Sequence, residues 1–556
     1  MAQTGAVEST GRTGAFAPLR VQTFRRIWLA SLFTNFGHLI LGVGAAWEMT
    51  QLSRDPSMVA LVQTAMMIPL MFVALPAGAV ADMFDRRKIA MTGLAFSAIA
   101  SATLTTLAFL GLTTPWLLLG FCVLIGAGMA LFSPSWQASI SEQVPAADLP
   151  AAIGLGSISY NVARSFGPAL GGLIVVAFGA KAAFGINATF FLPLIIAFFF
   201  WRRVHTPSRL PPERIDRAIV SGARYALHSP LIRTVLARAL LFGLTSAAYV
   251  ALGPLVAKDL LKGDAATYGL MLGATGIGAV LGALMLSDLR ERLSAEAAVR
   301  IFTLSTALGI LTVAFSQNLI LTCAGYFVIG LSNMTTVSLL NVGVQLSSPR
   351  WVTARALSLY SSALTGGIAI GAWAWGEATA LLGLQTALLL SALAVLLSSL
   401  VGYLIPLQDD RLVDTESVGI ANEVEVALGL TLRSGPMTIE VEYDVDPDQA
   451  RAFYAAARKL QRIRKRNGGF GWTISRDIAD PALWVERYQC PTWGDYLRMR
   501  DRYTQAELDL QAQVDTYNRS GRGMRVRRFL ERPYGSVRWK ADSPDPAIGP
   551  IGYIGP

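Results

Sequence analysis

Apolar positions gather into long unbroken runs over the first 404 residues and then stop. Twelve runs stand at about 26–50, 57–81, 89–111, 115–138, 150–178, 181–201, 234–257, 266–288, 298–316, 319–344, 353–376 and 380–404. A helix needs roughly 20 mostly apolar residues to cross the hydrocarbon core, so each run predicts a membrane-spanning helix. Several runs are joined by connections as short as that at 111–115, which predicts antiparallel neighbours. The first run, starting near Ile27, is too long for the apolar region of a cleaved signal and reads as a retained span.

Beyond residue 436 the period changes. Ile439, Val441, Tyr443 and Val445 alternate with Glu440, Glu442 and Asp444, the pattern of a half-buried strand. Asp446-Pro447 opens a helix whose apolar stripe, Ala450, Phe453, Tyr454, Ala457, Leu460 and Ile463, ends at Asn467-Gly468-Gly469. Strands near 470–476 and 483–490, a second helix from Thr492 to about Tyr517 and a last strand near 524–530 complete the order β-α-β-β-α-β. That order is ferredoxin-like and predicts a small α+β domain. The run Arg458, Lys459, Arg462, Arg464, Lys465 and Arg466 reads as a solvated face, or as one touching anionic headgroups.

Composition agrees with this division. The chain is 53% hydrophobic and only 15% charged, against about 25% charged in soluble domains. Cys122, Cys323 and Cys490 form neither a disulfide framework nor a metal motif, and three histidines give no metal cluster. The net charge of +10 sits mostly in the loops, so nucleic acid is not an expected partner. On one side of the spans the loops carry Arg20, Arg25 and Arg26, then Arg86, Arg87 and Lys88, a cluster from Arg202 to Arg233, then Arg290, Arg292, Arg300, Arg350 and Arg355; the other side holds only Arg54, Lys181, Lys258 and Lys262. Basic short loops stay inside, which predicts both termini in the cytosol and a multi-pass protein of the plasma (inner) membrane.

The longest polar connection bisects the spans. Pro145, Ala152, Leu155, Ser157, Gly167 and Gly172 recur 204 residues later as Pro349, Ala356, Leu359, Ser361, Gly371 and Gly376. Two related halves around a central linker fit alternating access, in which a site between rocking halves faces each side in turn. The organisation expected is a cytosolic segment 1–23, a six-helix half 24–201, a cytosolic linker 202–233, a six-helix half 234–405, a linker 406–436, the ferredoxin-like domain 437–535 and a disordered tail 536–556.

Two motifs carry a family resemblance. The loop Gly78-Ala-Val-Ala-Asp82-Met-Phe-Asp85-Arg86-Arg87-Lys88 resembles the hallmark Gly-x-x-x-Asp-Arg-x-Gly-Arg-Arg/Lys of the major facilitator superfamily, with Met83 and Asp85 as departures. There Asp82 is placed to cap the next helix and to accept from arginines, a charged latch made in one conformation and broken in the other; the alternative is an arginine cluster that only fixes topology. On the fifth run, Asn161-Val-Ala-Arg164-Ser-Phe-Gly167-Pro168-Ala-Leu-Gly171-Gly172 resembles the Gly-Pro-x-x-Gly-Gly element of antiporter-type exporters. The membrane part as a whole resembles the drug:proton antiporter-3 branch, closest to transmembrane secretion effectors and the enterobactin exporter. That resemblance implies the twelve-helix all-α membrane fold of the superfamily. It further implies efflux of small hydrophobic or amphipathic molecules by proton antiport, or siderophore export by the same fold. The proton gradient takes the place of any cofactor, and no enzyme is implied; a membrane-tethered monooxygenase-like tail is the remaining alternative, against which stands the absence of histidine beyond residue 228. Membrane lipid and a small-molecule substrate are the expected partners, with dimerisation through the C-terminal domain.

Ionisable groups within spans are costly and line cavities. His38 is read as a proton carrier or a hydrogen-bonded packing residue, Glu48 as a proton or cation site or an interfacial carboxylate, and Arg164 as partner to an acidic group or an anionic substrate. Asn35, Gln63, Trp136, Gln137, Asn161, Asn333, Asn341 and Gln345 are read as cavity lining or interhelical glue.

Overall fold

The structure, a computed structural model, describes residues 16–83, 85–145, 148–201, 215–349, 352–407, 426–519 and 525–531. The membrane helices begin with α1 (Gln22–Leu52), α2 (Pro56–Met83), α3 (Arg86–Phe109), α4 (Pro115–Gln143), α5 (Leu149–Phe178), α6 (Ala180–Phe190) and α7 (Leu192–Phe200). After α8 (Ile215–His228) come α9 (Pro230–Ser246), α10 (Ala248–Ala251), α11 (Gly253–Leu255), α12 (Ala265–Leu284), α13 (Leu286–Arg292), α14 (Ala295–Phe315), α15 (Leu319–Leu346), α16 (Thr353–Leu382) and α17 (Leu384–Leu404). The last part holds β1 (Met437–Asp444), α18 (Ala450–Asn467), β2 (Phe470–Arg476), β3 (Leu483–Cys490), α19 (Trp493–Asp501), α20 (Gln505–Asp515) and β4 (Arg525–Leu530).

Eleven helices among the described residues are long and apolar enough to cross a membrane. Two of them are interrupted for a covalent reason. Within Ala180–Phe200, Pro193 has no N–H for the Thr189 carbonyl, and the helix breaks at Phe191. Within Pro230–Leu260, Pro254 deprives the Val250 carbonyl in the same way. The run expected at 353–376 forms α16, 30 residues long, but it is not among the eleven: Ser358, Ser361, Ser362 and Thr365 dilute its apolar character.

Helix starts follow the capping rules. Thr114 accepts from Leu117 N ahead of Pro115, and Asp264 forms a capping box with Thr267. The 204-residue repeat extends to a pair of turns. Gly179 (φ 78°) joins α5 to α6 and Gly383 (φ 86°) joins α16 to α17, both in the left-handed region that a side chain disfavours.

The chain divides into two compact bodies, one of residues 1–216, 234–342 and 357–409, the other of 217–233, 343–356 and 410–556. The second contains a four-stranded antiparallel sheet in the order β2-β3-β1-β4, with Val441 opposite Glu486 on one side and Val526 on the other. Ile439, Tyr443, Phe453, Leu460 and Tyr488 fill its core. The helix expected over 492–517 is in fact two, because Thr504 and Glu507 cap each other and start α20 afresh.

Two findings correct the reading of the basic run on α18. Arg464 is buried at 3% exposure, facing Glu486 at 1%, and Arg466 bonds Glu507; neither is a solvated residue. The central linker also carries structure. Its helix α8 belongs to this second body: Arg224 Nη1 donates to Gly468 O at 3.1 Å, and the Arg466 guanidinium lies 5.4 Å from the Tyr225 ring centre. Linker helix and C-terminal strands therefore belong to one compact body.

Candidate functional site

The two halves of the membrane body meet along α5, and the reason is written in its glycines. A Cβ on Gly167 would stand 3.2 Å from Leu39 Cβ, and one on Gly171 3.2 Å from Ile40 Cα, so these two positions seat α5 against α1. Gly172 faces elsewhere: a Cβ there would lie 2.5 Å from Ala265 O and 3.0 Å from Gly269 Cα, both on α12 in the other half. Pro168 contributes to the same crossing. Lacking an N–H, it leaves the Arg164 carbonyl without its intrahelical donor, and the backbone of Gly276 on α12 comes against that carbonyl, so close that a Cβ would lie 2.6 Å from it. Small residues at helix crossings permit this approach in a membrane, where van der Waals packing replaces the hydrophobic effect.

A second crossing mirrors the first. Gly376 on α16 meets α2, where an added Cβ would stand 2.6 Å from Ala60 Cβ and 3.1 Å from Ser57 Cα. Thr64 Oγ1 donates to Ala369 O at 2.9 Å in the same crossing. Lys258 Nζ, beyond α11, donates to Thr50 O near the end of α1 at 2.5 Å. All three contacts join the halves near the membrane face where α5 ends and α12 begins.

Arg164 sits beside the α5–α12 crossing. It lies between the face of α5 turned to α1 and the face turned to α12, half-buried, with Nη1 3.9 Å from Met334 Sδ on α15. His38 on α1 has a buried Nδ1 with no hydrogen-bond partner among the described residues. Glu48 is half-buried near the far end of α1. Gln63 and Asn333 are likewise half-buried, while Asn161 and Asn341 are half-buried and engaged, and Gln345 is exposed and engaged. Two of the expected lining residues hold helices together. Asn35 Nδ2 donates to Ser159 Oγ at 3.1 Å, joining α1 to α5. Trp136 packs against Phe132 and Phe198, with ring centres 6.5 and 6.1 Å away. Gln137 is exposed and donates to Ser133 Oγ at 3.4 Å.

Gly78 and Asp82 fall in the last turns of α2, and the Asp82 side chain lies outside the described residues. The cap of α3 is Asp85, three residues later than expected: it accepts from Arg87 N at 2.9 Å and Lys88 N at 3.4 Å. Arg86 pairs with Glu142 at the end of α4 at 3.0 Å. Arg87 donates to Phe198 O at 2.8 Å and also to Phe199 O at the end of α7. These arginines tie the ends of three helices within one half.

A charge cluster in the other half was missed by the sequence reading. Arg238 on α9, 6% exposed, forks onto Glu296 on α14, which Arg300 also contacts at 3.3 Å. Glu296 also accepts from Leu407 N at 3.0 Å. The available signal was a lone arginine inside the run 234–257.

These features match a known family over almost the whole chain: the transmembrane secretion effector model aligns with residues 13–534. The chain belongs to the transmembrane secretion effector family of the major facilitator superfamily. Members and relatives are transporters. The chain is 24% identical over 390 residues to the multidrug efflux pump Tap of Mycolicibacterium fortuitum, covering 68% of this chain and 95% of that pump. It is 30% identical to an uncharacterised transporter, YfiS of Bacillus subtilis, over 33% of this chain and 44% of that one. It is 23% identical to the staphyloferrin A transporter of Staphylococcus aureus, over 47% and 66%. Among solved structures, an inward-facing bacterial homologue of the lysosomal transporter Spinster superposes with TM-score 0.57 at 13% identity, covering 70% of this chain and 97% of that one. The protein is thus a multi-pass membrane transporter and not an enzyme.

Proposed function

We propose that this transporter exports small hydrophobic or amphipathic molecules by proton-coupled antiport, alternating between the two sides of the plasma membrane with both termini in the cytosol. The observation that carries this reading is the glycine-built crossing of α5 on α12. It joins the halves through backbone approach rather than bulky side chains, and so can part as a unit. The alignment with a multidrug efflux pump along 95% of its length supports outward transport. The arginine-rich loops support the cytosolic placement of the linker, and with it of the C-terminal domain.

His38 supports proton coupling, because a buried ring nitrogen without a partner can take a proton when the cavity opens. In the proposed cycle Arg164 orients the substrate or an acidic group on it. A siderophore cargo is a second reading, favoured by the match to the staphyloferrin A transporter.

The test is purified protein in liposomes, loaded with ethidium and given a pH gradient. Uphill movement should follow the gradient in the wild type. His38→Ala should lose gradient-driven movement yet keep ethidium exchange. Movement indifferent to the gradient defeats the coupling, and failure to move ethidium or any other amphiphile defeats the export reading.

A further inference from the structure

The C-terminal domain spends its charges unevenly. On the open face of the sheet they are matched: Arg487 pairs with Glu440, and Arg525 and Arg527 both reach Glu442. Inside, Arg464 is matched by Glu486. Helix α18 is different. It carries seven basic residues and no acidic one along its 18 residues. Two of the seven, Arg464 and Arg466, are used inside the body. The other five, Arg451, Arg458, Lys459, Arg462 and Lys465, have no ion-pair partner among the described residues. At 3.6 residues per turn four of them, and Lys459 beside them, form one stripe on the side opposite the buried Phe453, Leu460 and Ile463.

We propose that this stripe is a docking surface for the anionic headgroups of the membrane in which the protein itself sits. Charge complementarity selects the partner, since five cations on one side of the helix, without ion-pair partners among the described residues, fit a sheet of phosphates. Proximity supports the same choice. Leu407 is fastened to Glu296 at the end of the last span, and the 18 residues from there to Val426 reach at most about 65 Å when extended. The domain is therefore held at high effective concentration beside the headgroups, where even weak attraction suffices. Each cation at an anionic surface strengthens such binding by roughly fivefold. The inference rests on the proposed cytosolic placement of the domain, but not on substrate or proton coupling.

The experiment uses the full chain with Cys323→Ser and Ala455→Cys, the latter exposed in the middle of the stripe, labelled with an environment-sensitive fluorophore. Nanodiscs of phosphatidylcholine are compared with nanodiscs containing phosphatidylglycerol, each with spin-labelled headgroups as quencher. Quenching should be stronger by roughly a factor of two or more in the anionic discs and should vanish at about 1 M salt, where charge is screened within roughly 3 Å. The Arg458→Glu, Lys459→Glu, Arg462→Glu variant should behave in anionic discs as the parent does in neutral ones. Arg527→Ala, on the sheet, should change nothing. Equal quenching in both lipids overturns the proposal. So does a response that appears only when soluble RNA or an acidic protein is added. Transport of ethidium in the same discs is a separate readout, so failure of docking and failure of export are distinguishable.

Discussion

The Arg464–Glu486 pair shows how a single residue changes meaning between sequence and structure. Glu486 accepts from Arg464 Nε at 3.0 Å, Trp472 Nε1 at 2.9 Å and Tyr443 OH at 3.0 Å. Burial alone would raise its carboxyl, but the Arg464 charge and these donors outweigh that and hold it below the ordinary carboxylate value. A folded-state pKa below the unfolded one gives stability that is present above the unfolded value and lost as pH falls through the folded one. The C-terminal domain should therefore keep its fold at mildly acidic pH and lose it only below the ordinary carboxylate range. Glu486→Gln should remove that acid transition and leave a buried guanidinium without its counter-charge, a loss of about 3–5 kcal/mol. Hydrogen exchange of β1 and β3 amides in the full chain is the measurement, and unchanged exchange would count against the pair as a structural element. Sequence periodicity had placed Arg464 with its neighbours because a run of basic residues hides which one turns inward. Only the partner strand, 22 residues away, decides it. The same blindness applied to Arg238, whose partner Glu296 lies 58 residues on.

Among elements, the repeat was legible and its meaning was not. Matching letters 204 residues apart identified Gly167 with Gly371 and Gly172 with Gly376. The structure gives each pair equivalent work. Gly167 seats α5 on α1 and Gly371 seats α16 on α9, where an added Cβ would stand 2.3 Å from Leu244 O. Gly172 and Gly376 then make the two crossings between halves. Ala152 and Ala356 are both wholly buried. No periodicity within α5 could say that α12 rather than a lipid faces Gly172, because apolar partner and lipid tail look alike in composition. The cap at Asp85 was misplaced for a related reason: Asp82 and Asp85 are both good caps, and only the helix start separates them. Gly172→Val and Gly376→Val should each hold the halves apart at one crossing and lower transport by roughly tenfold or more, since the obstructing atoms include backbone that cannot move aside. Gly120→Ala is the control. It has nothing within 4 Å of the added Cβ, and should leave transport unchanged. Equal effects at all three positions would sink the assignment of the crossings.

At the scale of the whole molecule, the linker between the halves is joined to the C-terminal domain. Helix α8 has 14 residues, and an isolated helix of that length is marginal in water. What holds it is the second body: Arg224 bonds the carbonyl of Gly468, the left-handed cap of α18, where a cation also meets the negative end of the helix dipole. Tyr225 lies under Arg466, buried enough that its phenol is pushed up to about 12 and stays protonated. Only one residue, Ser229, separates α8 from α9, the first helix of the second half. The C-terminal domain thus grips the segment through which the halves are covalently joined, and its fold and the linker's should fail together. Arg224→Ala with Tyr225→Ala should raise amide exchange over 215–228 by roughly an order of magnitude or more, towards that of a free peptide, while exchange in α9 stays slow. Truncation after residue 430 should do the same. If α8 remains protected after truncation, then the membrane helices or lipid stabilise it, and the grip of the domain on the linker is not what keeps it folded.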